Sequence, residues 1–400
     1  MLFAPCAVSA TANVVIQKII ISGNVKTKSI YIMDLTGKCL HRQQKQTTEN
    51  IDTSKLTECL LDSKIFSDVR VKVNSNNLSI KVVERRTLIP IPFVRSQKYS
   101  TSVGGFLLES NFLGLGKQLV LGGTLGNHNN SLFLLYKDPA VRFSDWTLLF
   151  MYRNTNQDLL QYSGGQEING YQEHINLARI TLGRKIKSVW ELSWSLEYAS
   201  KQNEKLDPYQ LVPDNYSYFV SGPGFEYEDT HFKFYFQEGQ KVHLDWLKQL
   251  HRSDENKKAD TFRATYDWQL NPVRDHAVQI HMNAQVTNTN DVRDILKVGG
   301  RLGLRGVETN GLWVDRYATF SLDYKVPVWK GSFGTWTAGP FLDYARLRLW
   351  NESSYNSMTS FGGELLLYLR KIAFPGIGII VGRNPDYLGN FASLSIGFGF

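Results

Sequence analysis

The stretch "SLSIGFGF", residues 393–400, decides how the chain is read. Leu394, Ile396, Phe398 and Phe400 alternate with Ser393, Ser395, Gly397 and Gly399. A strict period of two marks a strand whose two faces meet different surroundings. Here one face is large and apolar and the other is nearly bare. A strand at a chain terminus frays unless something ties it down. Pairing the last strand of a closed barrel with the first would do so.

Upstream of this stretch the same grammar repeats. From about residue 87 helical periodicity almost disappears, and alternating segments of 8–12 residues follow one another. The pattern predicts strands over 88–96, 101–109, 117–126, 131–137, 145–154, 173–183, 189–200 and 217–227. Further strands are expected over 240–250, 260–270, 275–285, 314–326, 333–344, 359–370, 376–384 and 391–400. Short turns at 110–116, 137–145, 184–188, 271–275 and 371–376 alternate with long polar loops at 155–172, 201–216, 251–259, 286–313 and 345–358. Short turns at one end and long loops at the other are the mark of an outer-membrane barrel. The predicted fold is mainly β: a sixteen-stranded antiparallel transmembrane β-barrel over 87–400. In it Ala392, Leu394, Ile396, Phe398 and Phe400 face lipid.

Residues 14–85 read differently, as a small β-α-α-β-β domain. VVIQKIIISGN is a strand ending at the turn Gly23-Asn24, and Thr27–Cys39 reads as a helix with Thr27 as its N-cap. Thr53 or Ser54 caps a second helix that sets Leu56, Leu60, Leu61 and Ile65 on one face. Val69, Val71 and Val73 alternate with Arg70 and Lys72, and Leu78, Ile80 and Val82 return as the second arm of a hairpin. An exposed edge of that hairpin offers a place for an extended client strand. The plain alternative is a spacer domain.

Composition sets the outer limits. The formal net charge is +8, but Lys and Arg are mixed with acids, so nucleic acid is not an expected partner. No apolar run approaches the roughly 18–20 residues of a spanning helix, which leaves membrane barrels open. No HExxH, GxSxG or P-loop occurs, and the eight His residues are dispersed. No enzyme activity, metal or cofactor is therefore expected. Residues 1–12 read as the tail of a secretory signal, with Ala10-Thr11-Ala12 in small-x-small form; a plain tail is the alternative. Cys39 and Cys59 can form a bridge closing a loop of about 20 residues, or remain as two buried thiols.

Pro90 and Pro92 stand two residues apart in the first predicted barrel strand. Neither has an N–H, and in a strand both missing donors point to the same neighbour. If that neighbour is the last strand, which ends at Phe398 and Phe400, the seam between them is weakened. The alternative makes 86–93 a linker, with pairing from Phe93.

Several motifs resemble those of the BamA/TamA superfamily of outer-membrane insertases and translocases. RLGLRGVETN, Arg301–Asn310, is similar to its "(V/L)RG(F/Y)" loop, which that family places in the barrel lumen. AGPFLDYA, Ala338–Ala345, resembles its "FxDxG" strand, with Asp343 as the acid. SNFLGLG resembles its "NxxGxG" periplasmic turn, and the small domain resembles a POTRA domain, a periplasmic peptide-docking module. Val307 stands where the family carries an aromatic, and Ala345 where it carries Gly.

The resemblance implies that Arg305, Gly306 and Asp343 lock a lumen loop. A guanidinium in a lumen needs a planar acceptor, and a carboxylate supplies a bidentate one. Glu364 is a candidate second acid; a solvated loop arginine is the bland alternative. The resemblance also implies assembly or translocation of outer-membrane or secreted client proteins, contact with outer-membrane lipid and accessory assembly proteins, and an N-terminal domain in the periplasm. Rival readings are a two-partner-secretion transporter with one dedicated partner, a passive porin or structural barrel, and lipid-related transport.

Overall fold

A computed structural model describes residues 18–43, 51–74, 77–96, 100–187, 189–232, 236–254, 258–300, 303–369, 376–387 and 389–396. The stretch read as a signal remnant and the residues Phe398 and Phe400 lie outside the described residues. The chain divides into two compact units. One runs to Thr87 and includes Asn111–Gly116; the other takes Leu88–Ser110 and everything from Lys117 onward.

The first unit has the order β1 (Lys18–Ser22), α1 (Ser29–Gln43), α2 (Thr53–Leu61), β2 (Phe66–Asn74), β3 (Asn77–Glu84). Its sheet runs β1-β3-β2, with β1 parallel and β2 antiparallel to β3. The helices close one face, and Ile32, Leu56, Leu60, Phe66, Leu78 and Ile80 are buried between the layers. Cys39 and Cys59 form a disulfide that ties α1 to α2. Two helix starts differ from expectation. Asp52, not Thr53 or Ser54, caps α2, accepting from the N–H groups of Ser54 and Lys55 at 3.0 Å each. A carboxylate is the stronger acceptor for those orphan donors. α1 begins at Ser29, and the Thr27 hydroxyl is engaged elsewhere: it accepts from Asn111 Nδ2 at 2.9 Å and bonds to the Glu84 carboxylate.

The second unit is the barrel. Its strands are β4 (Leu88–Ser96), β5 (Thr101–Phe112), β6 (Lys117–Gly126), β7 (Asn129–Asp138), β8 (Trp146–Ser163), β9 (Gln166–Ile186), β10 (Trp190–Glu204) and β11 (Tyr216–Phe232). They continue as β12 (Gln237–Arg252), β13 (Asp260–Leu270), β14 (Ala277–Thr287), β15 (Leu296–Val298), β16 (Leu312–Lys330) and β17 (Gly334–Leu349). β18 (Asn356–Leu369), β19 (Ile377–Asn384) and β20 (Gly389–Ile396) complete the ring. β15 is a three-residue segment within the β14–β16 connection, in register with the first residues of β16. β14 pairs directly with β16 along the rest, so the barrel has sixteen antiparallel strands, closed by β20 against β4.

All sixteen predicted strands exist. The expected loop 155–172 does not: β8 and β9 run on as one hairpin, turning at Gly164 and Gly165, both with positive φ. The outward positions there are polar (Asn154, Asn156, Asp158), which reads as loop, yet inward Leu159 pairs with Tyr171 and both are buried. Pairing along β4 starts at Leu88, with Leu88 opposite Glu109, so 86–93 is not a linker. The outer wall carries large exposed apolar side chains on neighbouring strands, among them Leu182, Leu192, Trp194, Trp246, Phe262 and Leu342. No helix among the described residues is long and apolar enough to cross a membrane, which says nothing of a barrel.

Candidate functional site

The β14–β16 connection, residues 288–311, folds back into the barrel. Leu304 and Val307 are buried in one cluster with Leu160 and Tyr162 of β8, Val314 and Tyr317 of β16, Leu347 of β17 and Tyr387. Part of the lumen is thus a packed apolar core, not a water column. The Tyr162 N–H donates to the Gly311 carbonyl at 2.9 Å, joining the β8–β9 hairpin to the loop's end.

At the loop tip, Arg305 reaches the inner faces of β16 and β17. Its Nε donates to Asp343 Oδ2 at 2.8 Å and its Nη2 to Asp343 Oδ1 at 2.5 Å, a bidentate fork. Nη1 donates to Asp323 Oδ1 at 2.7 Å, and Nη2 also reaches Ser321 Oγ at 2.7 Å. The Arg305 backbone N–H donates to Asp343 Oδ2 at 3.2 Å, and Ser360 of β18 donates to its carbonyl at 2.6 Å. The Phe341 ring lies 3.8 Å from the guanidinium carbon, so the fork is stacked as well as hydrogen-bonded. Arg305 is 6% exposed and Asp343 is 0% exposed, which rules out a solvated loop arginine. Gly306 has φ +81, and a Cβ there would sit 2.5 Å from the Phe391 ring. Only glycine meets both conditions.

The structure brings Arg305, Gly306 and Asp343 together. It does not bring Glu364 into that group: Glu364 pairs with Lys325 at 3.2 Å, and Asp323 takes the place of the second acid. Sequence reasoning missed Asp323, Ser321 and Phe341. A signal existed for the first two, since Ser321 and Asp323 stand two residues apart in a predicted strand and so share one face, and Ser321 is the register partner of Asp343.

A second anchor, also missed, holds the start of the same loop. Arg252 of β12 pairs with Asp254, Asp291 and Asp294, and Arg293 of the loop pairs with Asp254 and Asp291. The two guanidiniums sit 4.3 and 4.7 Å from the Tyr216 ring centre, and the Tyr216 hydroxyl donates to Asp294 at 2.5 Å. Lys201 of β10 donates to the Arg293 carbonyl at 2.6 Å.

The seam is short. Among the described residues β20 meets β4 through Leu394 opposite Ser96, Ser395 opposite Arg95 and Ile396 opposite Val94. On the far side of β4, register pairing with β5 runs from Leu88 to Ser96. Pro90 and Pro92 are exposed on the outer wall beside Leu88, whereas Ile89 and Ile91 face inward and are buried.

In the first unit β2 is an edge strand, and among the described residues it pairs only with β3. Val69 is buried and Val71 half-buried against the helices, whereas Val73 is exposed. The valines therefore anchor the strand, and the backbone edge is what remains to be offered. In the same unit, Glu84 accepts from the N–H groups of Lys26 at 3.0 Å and Thr27 at 2.6 Å. Burial alone would raise its pKa. Hydrogen bonds from the Thr27 side chain and from the Lys26, Thr27 and Val25 backbones outweigh that and hold it below the ordinary carboxylate value.

Comparison with solved structures finds the same fold. BamA from Haemophilus ducreyi lacking POTRA domains 1-3 matches with a TM-score of 0.61 at 14% identity, covering 97% of this chain and 85% of that one. CdiB from Escherichia coli matches with a TM-score of 0.64 at 12% identity, covering 96% and 77%. CdiB from Acinetobacter baumannii matches with a TM-score of 0.58 at 14% identity, covering 96% and 73%. No family model and no curated protein matches the sequence. The fold that the sequence resemblance implied is the fold these structures share.

Proposed function

We propose that this chain is an outer-membrane barrel of the BamA/TamA type that helps insert or translocate β-rich client proteins, with its small domain in the periplasm. The membrane setting is supported by the large apolar side chains that neighbouring strands expose on the outer wall, since contiguous exposed apolar surface marks a membrane or partner site. The observation that carries the functional reading is the occupied lumen. A barrel whose interior holds a loop pinned by Arg305 and packed into an apolar core is poorly suited to passive diffusion. Its work then falls to its wall and edges. The β20–β4 seam offers unpaired backbone to an incoming strand when it parts, and the β2 edge offers the same to an extended client. The reading needs no catalysis by the chain, no nucleotide and no metal.

The test is a locked seam. Val94→Cys with Ile396→Cys places two thiols at opposed register positions. With the full chain in liposomes, oxidation should stop assembly of an added barrel client, and reductant should restore it. Each single-cysteine variant treated alike controls for loss of the native bridge. Assembly that proceeds unchanged with the seam locked would overturn the wall-based reading. Continued export of a soluble partner under the same lock would favour a secretion pore.

A further inference from the structure

The outer wall of β16 and β17 changes character near the long-loop end. Outward positions along β16 are Leu322, Phe320 and Ala318, and then Arg316; along β17 they are Leu342 and Tyr344, and then Arg346 and Arg348. Arg316 and Arg348 are register partners. Like charges placed directly opposite on neighbouring strands destabilise the pair. The compensation is incomplete. Asp315 accepts from Arg348 Nε at 2.9 Å and also from its Nη2, and lies 3.6 Å from Arg316 Nε, which is buried without a hydrogen bond. Arg346 is exposed, and its guanidinium lies 5.2 Å from the centre of the Tyr355 ring; among the described residues it has no acid partner. Three guanidiniums thus share one carboxylate, a surplus of two positive charges. At the same end of β8, β9 and β10 the outward positions are Asn154, Asn176, Ser200 and Gln202, with no such cluster.

We infer that Arg316, Arg346 and Arg348 bind the phosphate of a lipid headgroup, a phosphomonoester carried by a glycolipid of the leaflet at the long-loop end. Guanidinium forks match phosphate oxygens two by two. The site lies on the outer wall where the apolar belt ends, so acyl chains would lie along Phe320, Leu342 and Tyr344 while the headgroup meets the arginines. Tyr344, whose hydroxyl is 3.1 Å from Ser357 Oγ, and Tyr355 are the aromatic residues expected at such a boundary. A bound phosphate would also relieve the opposition of Arg316 and Arg348.

The inference rests on the membrane reading, and the experiment separates the two. The full chain is first floated with phosphatidylcholine vesicles; failure to float removes both claims. Lipid retention is then read by native mass spectrometry after exchange into detergent with diphosphoryl lipid A, its dephosphorylated form, or phosphatidylglycerol. Diphosphoryl lipid A should stay bound to the wild type, and the dephosphorylated form should not. Arg346→Gln should weaken retention about fivefold, in line with the worth of one basic residue at a membrane surface. The triple variant R316Q/R346Q/R348Q should abolish it, and Arg274→Gln, at a short turn, should change nothing. Heat-modifiable gel migration shows whether each variant is folded, and Arg346→Gln alone carries the test if the triple variant is not. Equal retention by wild type and Arg346→Gln, or no preference for phosphorylated lipid A over phosphatidylglycerol, would overturn the inference while leaving the barrel in its membrane.

Discussion

Arg305 shows what one side chain does where solvent barely reaches it. Its fork holds two carboxylates that would otherwise face each other, Asp323 and Asp343, both nearly inaccessible. Removing one partner of a buried ion group leaves an uncompensated charge, a cost of about 3–5 kcal/mol. Arg305→Ala is therefore expected to lower the denaturant midpoint of the folded barrel, read by gel migration. Arg305→Lys should recover little of it, because an ammonium cannot reproduce the fork. Glu84 makes a pH-dependent counterpart outside the barrel. Its folded-state pKa is depressed, so its contribution is present above the unfolded value of about 4.5 and is lost as pH falls through the folded value. Calorimetry of the full chain should show the transition of the small unit falling in temperature with acidification below that point. Glu84→Gln should start lower at neutral pH and lose that part of the slope.

At the scale of elements, much is legible because period-two alternation marks a strand wherever its two faces meet different surroundings. β4, β6 and β13 end at the residues expected from sequence. The β8–β9 hairpin was read as loop because beyond an apolar belt the outward residues turn polar while the backbone ladder continues. Asp52 caps α2 one residue before Thr53, a local choice, whereas the Thr27 side chain is drawn away from α1 by Asn111 and Glu84, a tertiary matter. The site itself was half legible. The motif resemblance put Asp343 with Arg305, but register, which decides between Asp323 and Glu364, is not written in the motifs. The sequence left the cysteines undecided between bridge and thiols. The bridge between α1 and α2 closes a 20-residue separation, and replacing both with Ala should cost about 3 kcal/mol of the small unit's stability, measured by its calorimetric transition.

For the molecule as a whole, the two anchors of the 288–311 loop matter more than either alone. One holds its tip to β16 and β17, the other holds its start to β11 and β12 through Tyr216 and Arg252. A loop fixed at one end can still occupy the lumen. In planar bilayers the wild type should pass little current, Arg305→Ala or Arg293→Ala alone should pass slightly more, and the pair should give a conductance greater than the sum of the single effects. Additive effects would mean that the apolar packing of Leu304 and Val307, rather than the ion groups, holds the loop in place.

The seat for the loop tip is carved as much by what is missing as by what is present. A Cβ at Gly382 would lie 2.7 Å from the Phe361 carbonyl oxygen of β18, 2.8 Å from the ring of Phe391 and 2.9 Å from that of Phe341, the two aromatic walls that touch Gly306 and Arg305. One methyl group at that position therefore works as an uncharged wedge: it would press on the β18 backbone and on both rings that seat the tip, while every acid and base kept its identity. Gly382→Ala offers a way to unseat the loop without altering the electrostatics of the interior, and so to separate the effect of where the loop rests from the effect of what it is bonded to.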